Sequence, residues 1–290
     1  MSRRNDMKRR GALHWIAATA SMAMLAGTGC AGMRATPKPA PVFSLVTFNL
    51  YHDKANWPAR RALIIDGLRR LNPSAIVLQE VLQHGSLRNQ AEDLAEALGY
   101  RAYFISIDPP GNARRYGNAI LTRHPVLARD WTKLRPLGDS RTAGMVRIEV
   151  DGHPLNIYVT HPNYQDNADG TRMRMQQLGD LADFISRTAG EAPSIIAGDF
   201  NTASGTPELA RIEAGFDDAY DVLHGRNDAP PTLNPHYFPD DRRRIDHAYL
   251  QRGRIIALEA RNVLDHADAA GHWPSDHFGV YVRVAFAPLH

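Results

Sequence analysis

A single cysteine, Cys30, stands among the 290 residues, which excludes an intramolecular disulfide and any zinc cluster built on cysteine. Long apolar runs are scarce too. The one candidate, residues 12–26, is short for a bilayer span and is interrupted by His14 and Thr19. A surplus of one charge sign is also missing. The 34 Lys and Arg exceed the 31 Asp and Glu by three, but residues 1–29 hold five of the basic residues against Asp6 alone, leaving 29 basic and 30 acidic residues for the rest. A body this close to neutral has no strong field for gripping a nucleic-acid backbone. Glycine (22) and proline (19) are at ordinary levels, so collagen-like and low-complexity classes are out. What is present, 43% hydrophobic and 22% charged residues, suits a globular protein of this length with a sizeable core.

The N-terminal 29 residues have a different character. Arg3, Arg4, Lys8, Arg9 and Arg10 precede the apolar run, and Gly27-Thr28-Gly29-Cys30 follows it. A basic region, a short apolar region and small residues in that order read as an export signal. The small residues ending in a lone Cys resemble the lipobox of bacterial lipoproteins, although Gly27 stands where that motif usually carries Leu. The resemblance implies cleavage after residue 29, lipidation of Cys30 and attachment to a membrane of the cell envelope. Plain secretion and an uncleaved N-terminal anchor are the alternatives. Residues 30–43, with Pro37, Pro39 and Pro41, then read as an extended tether, and a single domain is expected over 44–290.

Within 44–290, hydrophobic periodicity predicts strands at 44–50, 75–78, 100–107, 118–122, 143–150, 155–160, 194–198, 245–250, 254–260 and 278–286, and helices at 59–71, 87–98, 172–188 and 208–214. Asp151-Gly152 is a hairpin signal. Strands that first alternate with helices and later run in hairpins point to an α/β (α+β) fold of two packed sheets with helices outside.

Six segments put polar groups at strand ends, where burial of apolar surface gives no reason for them. In Thr47-Phe48-Asn49, period-2 alternation sets Thr47 and Asn49 on one face and Val46, Phe48 and Leu50 on the other. In Leu78-Gln79-Glu80, alternation aligns Glu80 with Ile76 and Leu78 at the end of a strand. A carboxylate there needs a metal, a basic partner or water. Thr160-His161 ends another strand, and Gly198-Asp199-Phe200-Asn201 follows Ile195-Ile196-Ala197. Asp199 and Asn201 share a direction if the chain stays extended, and Gly198 lets a ligand approach the backbone. The last two segments are Arg244-Ile245-Asp246-His247 and Ser275-Asp276-His277. Asp246 and His247 take opposite faces of a strand, so one of them belongs to a site and His247 is expected at the surface. Singly, each segment has a plain structural explanation.

Their joint order resembles the endonuclease/exonuclease/phosphatase superfamily, with its DNase I-like four-layer sandwich of two mixed β-sheets flanked by helices. Gly117 to Arg123 and Arg141 fit the same pattern, and the resemblance covers residues 44–284. It implies hydrolysis of a phosphoester with Mg²⁺ or Mn²⁺ as cofactor, for which oxygen ligands suit a hard cation. By similarity Glu80 is the principal metal ligand, with Asn49 and Asp276 beside it. Asp246 orients His277, which activates water. Asp199 and Asn201 align the nucleophile and hold the phosphate, and His161 contacts the phosphate. The resemblance leaves Asp199 and His277 both open as the base, His277 being preferred. Arg115, in the loop Arg114-Arg115-Tyr116, and Arg242 to Arg244 are candidates for gripping phosphate. Tyr51 stands where repair enzymes resembling exonuclease III carry an acidic residue, which leaves the branch of DNase I, bacterial sphingomyelinases and uncharacterised metal-dependent hydrolases. The expected substrate is a phosphodiester of nucleic acid, a phospholipid head group or a small nucleotide, handled by a monomer. A catalytically silent binding module on the same fold is the alternative.

Overall fold

The computed structural model describes residues 41–227 and 229–288. The expected signal at 1–29, Cys30 and most of the tether therefore lie outside the described residues. In chain order the elements are β1 (Val42–Asn49), α1 (Trp57–Leu71), β2 (Ala75–Gln83), α2 (Gln90–Leu98), β3 (Arg101–Ile105), β4 (Arg115–Thr122), β5 (Val126–Lys133), β6 (Thr142–Val150), β7 (His153–Thr160) and α3 (Ala168–Thr188). They continue with β8 (Ser194–Asp199), a 3-10 turn at Pro207–Leu209, α4 (Ala210–Glu213), β9 (Phe216–Asp218), α5 (Ala219–His224), β10 (Asp246–Gln251), β11 (Ile255–Val263) and β12 (Gly279–Phe286). The first strand begins at Val42, two residues before the expected start of the domain. It does so because Val42 and Phe43 pair with Ala285 and Val284 of β12.

Two six-stranded sheets result, ordered β11-β12-β1-β2-β4-β3 and β5-β6-β7-β8-β10-β9. Each is mixed, since β1–β2 and β7–β8 run parallel while the other pairs are antiparallel. The sheets pack face to face over Leu45, Val77 and Val282 from one and Val146, Ile157 and Ile195 from the other. On the outer face of the first sheet, Val46, Phe48 and Ile76 pack with Ile64, Leu68 and Leu94 of α1 and α2. On that of the second, Tyr158, Ile196 and Tyr249 pack with Leu178, Leu181 and Phe184 of α3. The order is helix, sheet, sheet, helix, the four-layer sandwich that the sequence pattern implies.

Helix starts depend on caps more than on apolar spacing. The side chain of Asn89 accepts from the N–H groups of Ala91 and Glu92, so α2 opens at Gln90 rather than at 87. Asn167 caps α3 through Gly170 and moves its start to Ala168. At Asp151-Gly152 both φ values are positive, 51° and 87°, the hairpin geometry that this dipeptide favours. Three elements were not expected. β5 is an edge strand with no buried residue, and β9 and α5 are too short to show a period. Among the described residues, no helix is long and apolar enough to cross a membrane.

This topology gathers the polar segments at one end of the sandwich. Asn49 ends β1, Asp199 ends β8 opposite Asp246 at the start of β10, and His161 follows Thr160, which pairs with Gly198. A Cβ on Gly198 would lie 2.1 Å from the carbonyl oxygen of Thr160. Glycine is thus required there for β7 and β8 to pack.

Candidate active site

Oδ2 of Asp199 is the hub of the cluster. It accepts a hydrogen bond from Nδ2 of Asn49 at 3.0 Å and lies 3.4 Å from Nε2 of His161 and 3.9 Å from Nε2 of His277. The other oxygen accepts the N–H of Asn201 at 2.9 Å. Asn201 does not continue the strand. Its φ of 54° folds the turn back, and its Nδ2 donates to the carbonyl of Pro162 at 3.2 Å. Four residues from four sequence segments therefore meet around one carboxylate.

Asp246 stands behind His277, with Oδ2 2.8 Å from Nδ1. Both side chains are buried. Burial alone would push the His277 imidazole down, but the charges of Asp246 and Asp199 outweigh it and hold the ring well above its ordinary value. Burial and the repulsion of Asp246 push the Asp199 carboxyl up to about 7, against the opposing charge of His277. His161 is displaced the other way, well below the ordinary imidazole range, by burial and then by the cation of Arg141. Near neutral pH the cluster thus holds a charged His277, a neutral His161 and an Asp199 poised to exchange a proton. Ligand atoms of Asp199, Asp246 and His277 all lie within 4.8 Å of one another. The Asp246–His277 hydrogen bond takes up Oδ2 and Nδ1 and leaves Oδ1 of Asp246 without a partner.

A harder set of donors lies next to it. Strand β2 does not end at Glu80 but continues to Gln83, and its register against β4 shifts between Leu78 and Val81. Glu80 sits in that bulge with a φ of 55°. Ile76 and Leu78 face α1 and α2. The bulge turns Glu80 out of that layer, a re-aiming that strict alternation does not foresee. Burial would raise its carboxyl, but a hydrogen bond from His52, with Nε2 2.9 Å from Oε2, brings it down to about 2. Burial pushes Asp276 up to about 6, opposed by the charge of His277 and reinforced by that of Glu80. Asn49 spends its Nδ2 on Asp199, which leaves Oδ1, already an acceptor for the N–H of Tyr51 at 3.0 Å, as an oxygen donor. Two mutually repelling carboxylates and an amide oxygen fit a hard divalent cation. Among the described residues, Oδ1 of Asp246, Nδ1 of His161 and Oγ1 of Thr160 are buried without a hydrogen-bond partner, which leaves the site polar capacity for substrate or water.

Two residues at the site, His52 and Tyr116, escaped motif reading, and a third, Arg141, has no role in it. His52 reaches Glu80 from a loop with four positive φ values, at Tyr51, His52, Ala55 and Asn56. Tyr116 stacks on His52 with centroids 5.2 Å apart, and its phenol is pushed up by burial and by the charge of Glu80. Arg141, noted only as part of a pattern, is nearly buried and donates to the carbonyl of His161 at 3.4 Å. Arg115, by contrast, donates to the carbonyl of Asp108 at 3.2 Å and lies over the ring of Phe104. Among the described residues it makes no hydrogen bond to the cluster. Arg244 is also diverted, buried on Asn262 and over Tyr220. His247 does face away from the site, but it is fully buried rather than at the surface.

Known proteins resemble the chain in sequence and in fold. The chain is 24% identical over 253 residues to the uncharacterized protein YbhP of Escherichia coli K12, spanning 78% of this chain and 93% of that one. Solved structures share its fold. A humanized TDP2 from D. rerio superposes with a TM-score of 0.70 at 19% identity, covering 84% of this chain and 98% of that chain. The human nocturnin catalytic domain gives 0.69 at 20%, covering 85% and 94%. An endonuclease/exonuclease/phosphatase from Bacteroides vulgatus gives 0.70 at 18%, covering 84% and 99%. Residues 46–277 match the model of the Endonuclease/Exonuclease/phosphatase family, and the chain belongs to that family.

Proposed function

We propose that the protein is an exported, metal-dependent phosphoesterase that cleaves a phosphodiester in the cell envelope. The observation that carries this reading is the meeting at Asp199 of Asn49, His161, Asn201 and the Asp246–His277 couple, next to the oxygen donors of Glu80 and Asp276. Glu80, Asp276 and Oδ1 of Asn49 would hold Mg²⁺ or Mn²⁺. The bound cation would offset negative charge on the phosphoryl oxygens.

The chain's own groups divide the remaining work. Asp246 fixes the ring of His277 and keeps it charged, so its Nε2–H faces the site as a donor to a phosphoryl oxygen. With the proton held on His277, Asp199 at about 7 is the group free to orient a water and take its proton. That reverses the preference for His277 as the base. Asn201 and neutral His161 supply uncharged donors, and Arg141 supplies the cation first sought at Arg115.

The test is turnover of bis-p-nitrophenyl phosphate by purified protein, expected with Mg²⁺ or Mn²⁺, lost in EDTA and restored by metal. DNA, a dinucleotide and phospholipid vesicles, assayed in parallel, sort the substrate class. Absence of metal-dependent turnover on all of them would leave a silent binding module. Lipidation of Cys30 belongs to the same proposal. Full-length protein should fractionate with membranes, and mass spectrometry finding an unmodified Cys30 in mature protein would reject the anchor.

A further inference from the structure

A second histidine–carboxylate couple lies behind the site, one residue along the same strand. Nδ1 of His247 is 2.8 Å from Oδ2 of Asp218, and Nε2 is 3.1 Å from the carbonyl oxygen of Thr202. Asp218 already accepts the N–H groups of Tyr220 and Asp221 at the start of α5. Burial would raise its carboxyl, but the hydrogen bond and charge of His247 bring it below the ordinary carboxylate range. It is therefore an acceptor only, as is the Thr202 carbonyl, and the ring must donate from both nitrogens. The rings of Phe200 and Tyr249 lie 5.7 and 5.5 Å away, and the charge of buried Arg244 also acts on Asp218. A buried couple of this kind adds little stability over an apolar pair, so its value lies in what it holds.

What it holds is the residue after Asn201. The turn is gripped from both sides. Thr202 donates its hydroxyl to Glu208, which pairs with Arg174 at 2.9 Å. Arg174 in turn donates to the carbonyls of Gln165 and Asn163 at 2.6 and 3.3 Å. The left-handed backbone of Asn201, with a φ of 54°, thus leads directly into a residue whose side chain and carbonyl are both held. We infer that His247 is a positioning residue, which through the Thr202 carbonyl fixes the turn that aims Asn201 and Asp199. This deepens the phosphoesterase reading and rests on it.

The experiment separates the two nitrogens. His247→Gln keeps an N–H near Nε2 and abandons Asp218, whereas His247→Asn keeps an N–H near Nδ1 and abandons Thr202. Against bis-p-nitrophenyl phosphate, His247→Asn is expected to lose at least about 10-fold in kcat with KM changed less than about threefold. His247→Gln should regain most of that kcat despite a lower Tm, because it strands a buried carboxylate. A merely structural histidine would make kcat follow Tm in both variants, and equal kcat in the two overturns the inference. If either variant fails to fold, NMR of the ¹⁵N-histidine-labelled wild type decides instead: two protected ring N–H protons on His247 are expected, and a single one overturns it. A wild type without turnover would sink the phosphoesterase reading, while the ring-proton count would still decide the double donor.

Discussion

Oδ2 of Asp246 lies 2.8 Å from Nδ1 of His277, joining the start of β10 to the residue two before β12. Asp246 acts on two neighbours in the same sense. Its charge raises His277, and it is the largest influence after burial in raising Asp199 to about 7. As a base Asp199 works only when deprotonated, so activity should rise as pH passes through about 7. Asp246→Asn removes the charge that raises both groups. At saturating metal, the acidic limb of the kcat profile should move to lower pH while kcat falls by roughly 100-fold. A limb that stays in place or moves to higher pH would contradict the assignment.

Glu80 is the donor most committed to its charge, since its carboxyl is held at about 2. Glu80→Gln keeps the shape and removes that charge. Activity at limiting Mg²⁺ should drop by about 100-fold, equivalent to ~2.7 kcal/mol, with a higher metal concentration needed for half activity. Calorimetric titration of Mg²⁺ into both proteins measures the same change without turnover.

Arg141 and Arg115 give a contrast of position. Arg141 is nearly buried beside His161, while Arg115 is spent on Asp108 and Phe104. Arg141→Gln is expected to reduce kcat/KM by about 10- to 100-fold, the cost of one charge-assisted contact. Arg115→Gln should remain within about threefold of wild type. A reversed ranking in steady-state kinetics would return the phosphate cation to Arg115.

Much of the fold was legible because its faces follow strict periods. Val46, Phe48 and Leu50 do pack against the outer helices while Asn49 turns inward to Asp199. Reading failed where the backbone leaves the period. The bulge at Glu80 re-aims a side chain without any change of residue type that would signal it, and at Asn201 the chain takes a left-handed turn, for which asparagine is a common residue, instead of staying extended. His52 comes to the site by loop geometry, which carries no period, and Tyr116 by the start of β4 at Arg115, three residues before the expected strand. His247 looked like a surface residue because alternation tells only which face it takes. That face of β10 is covered by Phe200 and by the residues around Asp218 and Thr202.

Arg60 offers a test of how the loop that carries His52 is built. It is fully buried, yet every hydrogen bond of its guanidinium goes to a backbone carbonyl: Lys54 at 2.8 Å, Leu50 at 2.7 Å, His52 and Pro274 at 2.9 Å and Tyr51 at 3.3 Å. One cation thus ties the left-handed segment at Tyr51 and His52 to the strand that ends in Asn49 and to the residue before Ser275-Asp276. Arg60→Met preserves most of the apolar stem and leaves those carbonyls without their donor. Unsatisfied buried acceptors cost enough that the loss should be on the order of 3 kcal/mol, which in a domain of this size lowers Tm by roughly 6–12 °C. The effect should extend to the site, because the same loop presents His52 to Glu80 and the same side chain grips Pro274. Weaker Mg²⁺ binding should therefore accompany the lower Tm. A variant that melts within about 2 °C of wild type would show that water replaces the guanidinium. One that melts lower but binds Mg²⁺ as the wild type does would show that the loop's contribution stops at stability.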